Sequence, residues 1–249
     1  MPRINPDSPK SVLAKVDSIL QLFQADKPIL TLADIVEETQ VRKTTAHRLL
    51  QELADMGYLA LVPEGYAPGL RLLELGMIAQ QTLGLDEIMQ EIVGDFMAEF
   101  NETVTLAALR GQEFVYMHVM QSSNPLQVVV LKGSHRPASF GATGIALLAC
   151  LPEVERNQFA AAGLPAFTPH TIINPEAWLA RLAEIERDGV AIEYNEYVLG
   201  LGAVALPIKR NQLYALTVFG PTERIQAREA EIVSSLLSLH NALMRQLPL

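Results

Sequence analysis

The sequence has a single cysteine, Cys150, and no hydrophobic run that approaches the length needed to cross a bilayer. An intrachain disulfide is therefore excluded, and a reducing cytoplasm is the compartment we expect. The first ten residues contain three prolines and no apolar core, so a secretory signal peptide is not expected. No membrane partner is predicted for this chain.

Positive charge is also scarce, since 19 Lys and Arg stand against 28 Asp and Glu and the formal net charge is −9. This balance excludes a protein that is basic throughout, but it allows a basic face on one module. Residues 1–80 carry a net charge of −2 and the remainder carries −7. Arg42, Lys43 and Arg48 form a basic cluster, with no acidic residue between Thr39 and Gln51.

Residues arranged for catalysis or metal binding are lacking as well. The five histidines are scattered without ligand spacing, and there is no second cysteine to join them. The glycine-rich segment 141–144 is neither a P-loop nor a dinucleotide fingerprint, and no Gly-x-Ser-x-Gly elbow occurs. We therefore expect no catalytic residue, no metal and no cofactor.

The first third of the chain predicts three helices and a hairpin. Apolar periodicity from Val12 to Phe23 predicts a helix that ends near Ala25. Thr31 is the expected N-cap of a second, short helix that ends at about Thr39. The buried stripe of a third helix is predicted to be Ala46, Leu49, Leu50 and Leu53.

Two short helices joined by a tight turn and followed by a hairpin at Pro63–Gly65 form the layout of a winged helix-turn-helix. The second helix of this motif enters the major groove with its amino-terminal residues on phosphates and base edges. A winged-helix module that binds a protein instead of DNA is an alternative. The residues predicted to contact double-stranded DNA are Thr31, Arg42, Lys43, Thr44, Thr45, His47 and Arg48.

The rest of the chain predicts a linker helix and then an α+β domain with a mostly antiparallel sheet, because strands alternate irregularly with helices. The linker helix has a wide apolar face, which predicts either a dimer contact or packing on its own chain. The predicted strands are Val104–Leu109, Phe114–Met120, Leu126–Leu131, Val190–Glu193, Val204–Ile208 and Tyr214–Phe219. The predicted helices span about 85–101, 141–151, 176–188 and 228–247.

These patterns predict four regions. A disordered tail spans 1–9, a winged helix-turn-helix domain 10–70, a linker helix 71–85, and an effector-binding and oligomerisation domain 86–249. A small-molecule enzyme built on the last domain is a second alternative.

A set of short motifs, in their order and spacing, resembles the isocitrate-lyase-regulator (IclR) family of bacterial transcription factors over about residues 11–247. The motifs include Lys43–Leu50, Gly57–Leu59, Leu72–Gly76, Glu102–Val104, Phe114–Tyr116, Ala146–Ala149, Asn195–Tyr197 and Ala205–Pro207. The resemblance implies a winged helix-turn-helix, a linker helix and a GAF-like effector-binding domain. It also implies homodimers that can pair into tetramers, palindromic operators and a small organic effector.

The same resemblance places an effector pocket in the last domain. Family members that bind small polar acids have Asp where this chain has Glu193, Cys at Ala203, and serines at Thr217 and Phe219. The loss of polar groups and the gain of a phenyl ring predict a larger, more apolar or aromatic effector. By position, the pocket comprises Met117, Leu131, Gly141, Ala142, Thr143, Glu193, Leu201, Ala203, Thr217 and Phe219.

Overall fold

The computed structural model describes residues 11–247, and the predicted tail 1–9 lies outside them. The chain divides into two compact units after Gly84. The helices and strands of the first unit are α1 Val12–Leu20, α2 Leu32–Thr39, α3 Lys43–Asp55, β1 Leu59–Val62, β2 Gly65–Pro68 and α4 Leu70–Leu83.

The beginning of α2 and the turn into α3 are built from short-range hydrogen bonds. The Thr31 hydroxyl accepts the Asp34 N–H, while the Asp34 carboxylate accepts the Thr31 N–H, which forms a capping box. Gln40 ends α2 in the left-handed conformation, with φ 55°. The buried Thr39 hydroxyl accepts the Val41 N–H and donates to the Ile35 carbonyl. These bonds fix the angle at which α3 follows α2.

The predicted stripe of α3 is confirmed, since all four of its residues are buried. Leu49, Leu50 and Leu53 pack with Ile19 of α1, Ile35 of α2 and Leu59 of β1 in one apolar cluster. The strands β1 and β2 pair antiparallel from Leu59↔Pro68 to Val62↔Gly65, so the hairpin turn lies where it was predicted.

The helix α1 ends at Leu20, and the prediction that it continues to about Ala25 is wrong. The Leu22 and Phe23 N–H groups bond three residues back, to Ile19 and Leu20, which tightens the chain out of the helix. Phe23 nevertheless packs against the cluster from this turn. The apolar periodicity thus continued past the end of the helix because the turn still covers the core.

The helix α4 has no buried residue, although five of its apolar side chains would normally seek a partner surface. The exposed ones are Leu70, Leu73, Leu75, Met77 and Ile78. Gly69 and Gly84 flank the helix, and Gly84 ends it with φ 59°.

The second unit has an α+β fold, which confirms the predicted class. Its helices are α5 Leu85–Phe100, α6 Gly141–Ala149, α7 Glu153–Ala161, α8 Pro175–Asp188, α9 Thr222–Ala227 and α10 Glu229–Gln246. Its strands are β3 Thr103–Arg110, β4 Glu113–Met120, β5 His135–Pro137, β6 Ala191–Tyr194, β7 Leu201–Lys209 and β8 Leu213–Pro221. They form one antiparallel sheet in the order β5-β4-β3-β8-β7-β6.

One face of the sheet carries small side chains that let α6 approach closely. Ala107, Ala203, Ala205 and Ala215 are buried against the apolar helix α6, and α8 packs on α6 in turn. The other face is covered by α5, α9 and α10. The sheet is therefore buried on both sides, and polar groups on its alanine face are enclosed.

The predicted strand Leu126–Leu131 is wrong, because residues 126–131 join no ladder. Val128 and Val130 do pack inward, which explains the alternating pattern. The carbonyls of this stretch accept hydrogen bonds from side chains instead: Thr103, Gln121 and Arg224 donate to it. The short elements α7, α9 and β5 were not predicted from the sequence.

Candidate nucleic-acid interface and ligand site

The amino-terminal half of α3 presents a cationic surface opposite its buried stripe. Arg42, Lys43, Thr44, His47 and Arg48 are exposed, and Thr45 is half-buried. Arg42 precedes the helix with no side-chain cap, and the first turn contains no acidic residue. The positive end of the helix dipole and three cationic side chains therefore act together, which is an arrangement suited to a phosphate group.

One weak ion pair restrains this surface. Arg48 Nη1 lies 3.7 Å from Glu52 Oε1, and both side chains are about half-exposed or more. Exposed pairs at i,i+4 stabilise a helix by only about 0.3–0.5 kcal/mol. Arg48 can therefore exchange Glu52 for a phosphate or a base edge at little cost.

Thr31, also predicted at the interface, is engaged in capping α2. Its hydroxyl donates to Asp34 Oδ2 at 2.6 Å and accepts the Asp34 N–H at 3.2 Å. The residue is exposed. Its role in the structure is to begin α2, and any phosphate contact would use an oxygen already engaged.

The hairpin between β1 and β2 adds no cation, because residues 59–68 contain neither Lys nor Arg. Glu64 lies in its turn and Leu61 is 73% exposed. The hairpin therefore adds no positive charge to the cationic surface on α3.

In the second unit, a buried carboxylate lies at the beginning of α6. Glu193, on β6, is 1% exposed. Its Oε2 accepts the Ala142 N–H at 2.6 Å, and its Oε1 accepts the Tyr197 N–H at 2.8 Å. Burial raises the pKa of the Glu193 carboxyl above its usual range, and these two hydrogen bonds act in the opposite direction.

Gly141 permits this close approach. It begins α6 with φ +62°, and a Cβ built on it would lie 3.0 Å from Glu193 Oε2. A side chain at this position would be strained and would crowd the carboxylate.

Hydroxyl groups line the adjoining alanine face of the sheet. Thr143 Oγ1 and Thr217 Oγ1 are 2.9 Å apart, and both residues are buried. Tyr116 also hydrogen-bonds to Thr143, and burial raises the pKa of its hydroxyl. Phe219 packs edge-on to Tyr116 with ring centroids 6.4 Å apart.

A further hydroxyl on this face, that of Thr105, has no hydrogen-bond partner. Thr105 lies directly opposite Thr217 in the β3–β8 pair, so the two side chains share the alanine face. Its Oγ1 is fully buried. Among the buried side-chain oxygen and nitrogen atoms of residues 11–247, it is the one that makes no hydrogen bond. A buried unsatisfied hydroxyl costs about 1–3 kcal/mol.

Seven of the ten residues placed in the pocket by resemblance lie around α6 and the facing strands. Ala203 is opposite both Glu193 and Phe219 in the sheet. Leu201 is half-buried at the beginning of β7, and Met117 is half-buried in the β4 bulge. Leu131 is exposed in the segment that follows β4. The group brought together is Gly141, Ala142, Thr143, Glu193, Ala203, Thr217 and Phe219.

Sequence reasoning missed Thr105, Tyr116 and Tyr197 as members of this region. A hydroxyl within the apolar run of the predicted strand 104–109 was the available signal for Thr105. Tyr197 was not identified because its backbone N–H makes the contact, and a backbone group leaves no trace in the sequence.

A shallow cleft lies beside the beginning of α6. It encloses about 360 Å³ of empty space, part of it open to solvent. Its lining includes Gly141, Phe167, Trp178, Arg181, Glu196 and Tyr197. Arg181 Nη1 donates to Glu196 Oε1 at 2.5 Å, so the two charges in the cleft offset each other.

Other kinds of site are not found in the described part of the chain. Within residues 11–247 no three His, Cys, Asp or Glu side chains are grouped to hold a metal ion. No helix there is long and apolar enough to span a membrane. Cys150 is half-buried, and burial raises the pKa of its thiol.

Known proteins resemble the chain over both units. The IclR helix-turn-helix domain matches residues 12–63, and the C-terminal domain of bacterial transcriptional regulator IclR matches residues 77–244. A protein named "Probable transcriptional regulator SauR" from Cupriavidus necator is 30% identical over 197 residues, which cover 78% of each chain.

Two solved structures are similar in fold. The IclR transcriptional regulator of Alicyclobacillus acidocaldarius gives a TM-score of 0.80 at 23% identity, covering 94% of this chain and 97% of the other. An IclR homolog from Microbacterium hydrocarbonoxydans, complexed with 4-hydroxybenzoate, gives 0.75 at 25% identity, covering 94% and 99%.

Proposed function

The chain belongs to the IclR family of bacterial transcriptional regulators, and on that premise we propose that it binds a palindromic operator as a homodimer under the control of a small aromatic or apolar effector. Family membership confirms the predicted DNA-binding regulator with a ligand-binding C-terminal domain. It also confirms that the chain is not an enzyme, since this family consists of regulators.

The observation that carries the DNA-binding proposal is the cationic, uncapped amino-terminal half of α3 on a fully buried stripe. The stripe holds the helix rigidly, and the opposite side offers Arg42, Lys43 and Arg48 to solvent. A rigid helix with donors in its first turns can place them on base edges in the major groove. The net acidity of the chain does not oppose this, because DNA binding needs a cationic face on one module and not a protein that is basic throughout.

A mobility-shift titration against the DNA upstream of the chain's own gene tests this proposal. We expect Arg48→Ala to weaken binding by about tenfold, since a lost base or phosphate contact costs about 1–3 kcal/mol. Arg187→Ala is the matched control, because it removes an equally exposed arginine from the second unit. Equal affinities for the two variants, or no shift with the wild-type chain, would count against the proposal.

The homodimer is proposed from α4. This helix exposes apolar side chains along its length and buries none of them within the chain. A second copy of α4 would supply the partner surface that such a helix needs. Pairing of dimers into a tetramer is proposed from the family alone.

The effector site is proposed at the beginning of α6, where Glu193, the paired hydroxyls of Thr143 and Thr217, and Phe219 meet. The surroundings are rich in aromatic rings, with Tyr116 against Phe219 and Phe140 against Phe167. The site would have to open to admit a small aromatic ligand, because Glu193, Thr143 and Thr217 are almost fully buried, and these polar groups would then orient it.

We further propose that β4 carries the effect of ligand binding toward α4. Tyr116 faces the proposed site, and His118, two residues on, lies beyond the bulge and bonds Asp86 Oδ1 through Nδ1 at 2.6 Å. Asp86 is the second residue of α5 and follows α4 by three positions. A shift of Tyr116 would thus be transmitted through His118 and Asp86 to the first turn of α5. A ligand that binds more tightly to one of the two positions of Tyr116 would then change DNA affinity.

A further inference from the structure

The positive end of α6 is already occupied by a carboxylate of the chain itself. Glu193 takes the Ala142 N–H of the first helical turn and the Tyr197 N–H of the loop after β6. The Ala142 N–H is one of the backbone donors that an incoming anion would otherwise use at this helix end, and the Tyr197 N–H lies beside it on the same carboxylate. Gly141, with its positive φ, leaves the room that the carboxylate occupies.

The cations whose charge reaches this region are Arg181 and Arg136, and within residues 11–247 neither forms an ion pair with Glu193. The charged groups that act on Glu193 are Glu196 and Arg181, which are paired with each other. Arg181 also donates Nη2 to the Ile192 carbonyl. The positive charge of Arg136 opposes the rise in pKa that burial causes at Tyr116 and Tyr197. Arg136 Nη1 donates to the His135 carbonyl at 2.6 Å.

The remaining polar groups of the site are uncharged hydroxyls. Thr105 Oγ1 is fully buried without a hydrogen bond, and it lies opposite Thr217, whose hydroxyl contacts Thr143 of α6. An enclosed hydroxyl without a partner marks a position where a ligand atom can restore the missing bond. The cleft beside Gly141 and Tyr197 adds the aromatic surface of Phe167 and Trp178.

We propose, building on the effector site of the proposed function, that the effector is an uncharged aromatic compound with a hydroxyl group, and that Glu193 excludes carboxylate ligands from the beginning of α6. The ligand hydroxyl donates to Glu193, which retains free lone pairs on both oxygens after accepting two N–H groups. Thr105 supplies a further hydrogen bond. The Glu193 carboxylate therefore occupies the position that the carboxylate of an acidic ligand would otherwise take at the beginning of α6.

The discrimination follows from charge repulsion in an enclosed site. A second carboxylate close to Glu193 is repelled with little screening by water, and it finds the two N–H donors already taken. We expect at least about a tenfold preference for uncharged ligands, which corresponds to about 1.4 kcal/mol.

The first test uses the wild-type full-length chain and calorimetric titration of three probes of similar shape. We expect 4-hydroxybenzyl alcohol and 4-hydroxybenzamide to bind at least about tenfold more tightly than 4-hydroxybenzoate. Equal or tighter binding of 4-hydroxybenzoate would overturn the proposal.

The second test needs no knowledge of the effector. Glu193→Ala removes the Cγ and the carboxylate, which are the atoms of acetate. We expect acetate to raise the melting temperature of this variant more than chloride does at equal ionic strength, and to have no such effect on the wild type. Glu196→Ala is the matched control, because it removes a nearby carboxylate that does not contact the Ala142 or Tyr197 N–H. An equal response to both salts in Glu193→Ala would overturn the proposal.

Glu193→Gln covers the case in which Glu193→Ala does not fold. This variant keeps the side-chain size and loses the charge, so the preference for the uncharged probes should fall. An unchanged preference would overturn the assignment to Glu193. DNA binding with and without the probes tests the proposed function separately: its absence in the wild type under both conditions contradicts the operator-binding proposal, whatever the calorimetry shows.

Discussion

The two proposed binding surfaces of this molecule are opposite in design. The surface on α3 is exposed and cationic, and it is built from residues within one helix. The site at α6 is enclosed and contains a carboxylate, and Glu193 meets Ala142 across 51 positions of sequence. The first can contact a large polyanion without rearrangement, whereas the second must open to admit a ligand. The two proposed binding surfaces thus differ in charge and lie in different units of the chain.

The largest change in stability that we expect comes from a core substitution, which tests whether the two units unfold independently. Leu50 is fully buried in the cluster of the first unit, so Leu50→Ala should lower its free energy of unfolding by about 2–5 kcal/mol. The sole tryptophan, Trp178, is buried in the second unit and reports on that unit alone. Denaturant titrations should show an earlier transition by circular dichroism and an unchanged midpoint by Trp178 fluorescence.

Leu61→Ala is the control for this substitution, because it removes the same atoms from an exposed position and should change stability by no more than about 0.5 kcal/mol. An equal shift of the Trp178 midpoint in Leu50→Ala would show that the units unfold together.

The same contrast governs what the sequence could predict. The bounds of α2, the stripe of α3 and the hairpin turn depend on caps and periodicity within a few residues, and they were predicted correctly. The pairing of Glu193 with Ala142, and of Thr143 with Thr217, depends on strands brought together from distant positions. Such contacts leave no local pattern, and the family resemblance placed the four residues in one pocket without specifying these pairs.

Two errors have the same origin. Residues 126–131 alternate like a strand, yet their carbonyls bond to side chains from elsewhere in the fold. The run that ends at Phe23 is periodic like a helix, yet its last residues form a turn that still covers the core. Periodicity reports which side chains are buried, and it does not report which partner the backbone finds.

A smaller effect tests the role of Thr31 in beginning α2. Thr31→Ala removes the oxygen that accepts the Asp34 N–H and should cost about 1 kcal/mol of stability in the first unit. Thr31→Ser keeps that oxygen and should retain most of the stability. Circular dichroism melts of the two variants provide the measurement, and equal losses would contradict the capping role.

The hairpin without cations provides a gain-of-function prediction. Glu64→Lys should raise DNA affinity severalfold. It should also increase the magnitude of the slope of log affinity against log salt by about 0.9, the value for one additional phosphate contact. Glu184→Lys makes the same charge change on α8 and should leave both quantities unaltered. Fluorescence anisotropy over a range of salt concentrations measures the two variants. If Glu64→Lys behaves like its control, the hairpin does not approach the DNA.

The smallest expected effect concerns pH and the second unit. Burial lowers the pKa of His118, and its contact with Asp86 opposes this shift. A histidine with a lowered folded pKa contributes stability above its unfolded pKa of about 6.5, and this contribution is lost as the pH falls below that value. His118→Gln should therefore flatten the fall in Trp178-monitored stability between pH 7 and about 5. His170→Gln, at an exposed site, should not.

The salt dependence of DNA binding tests the central claim most directly. The logarithm of the affinity should fall with the logarithm of the salt concentration, with a slope of about −0.9 for each phosphate neutralised. Replacing Arg42, Lys43 and Arg48 together with alanine should reduce the magnitude of that slope by about 2 to 3 for each copy of the chain bound to the DNA. It should also weaken binding severely. Identical slopes for the wild-type and triply substituted chains would contradict the assignment of α3 as the DNA-binding surface.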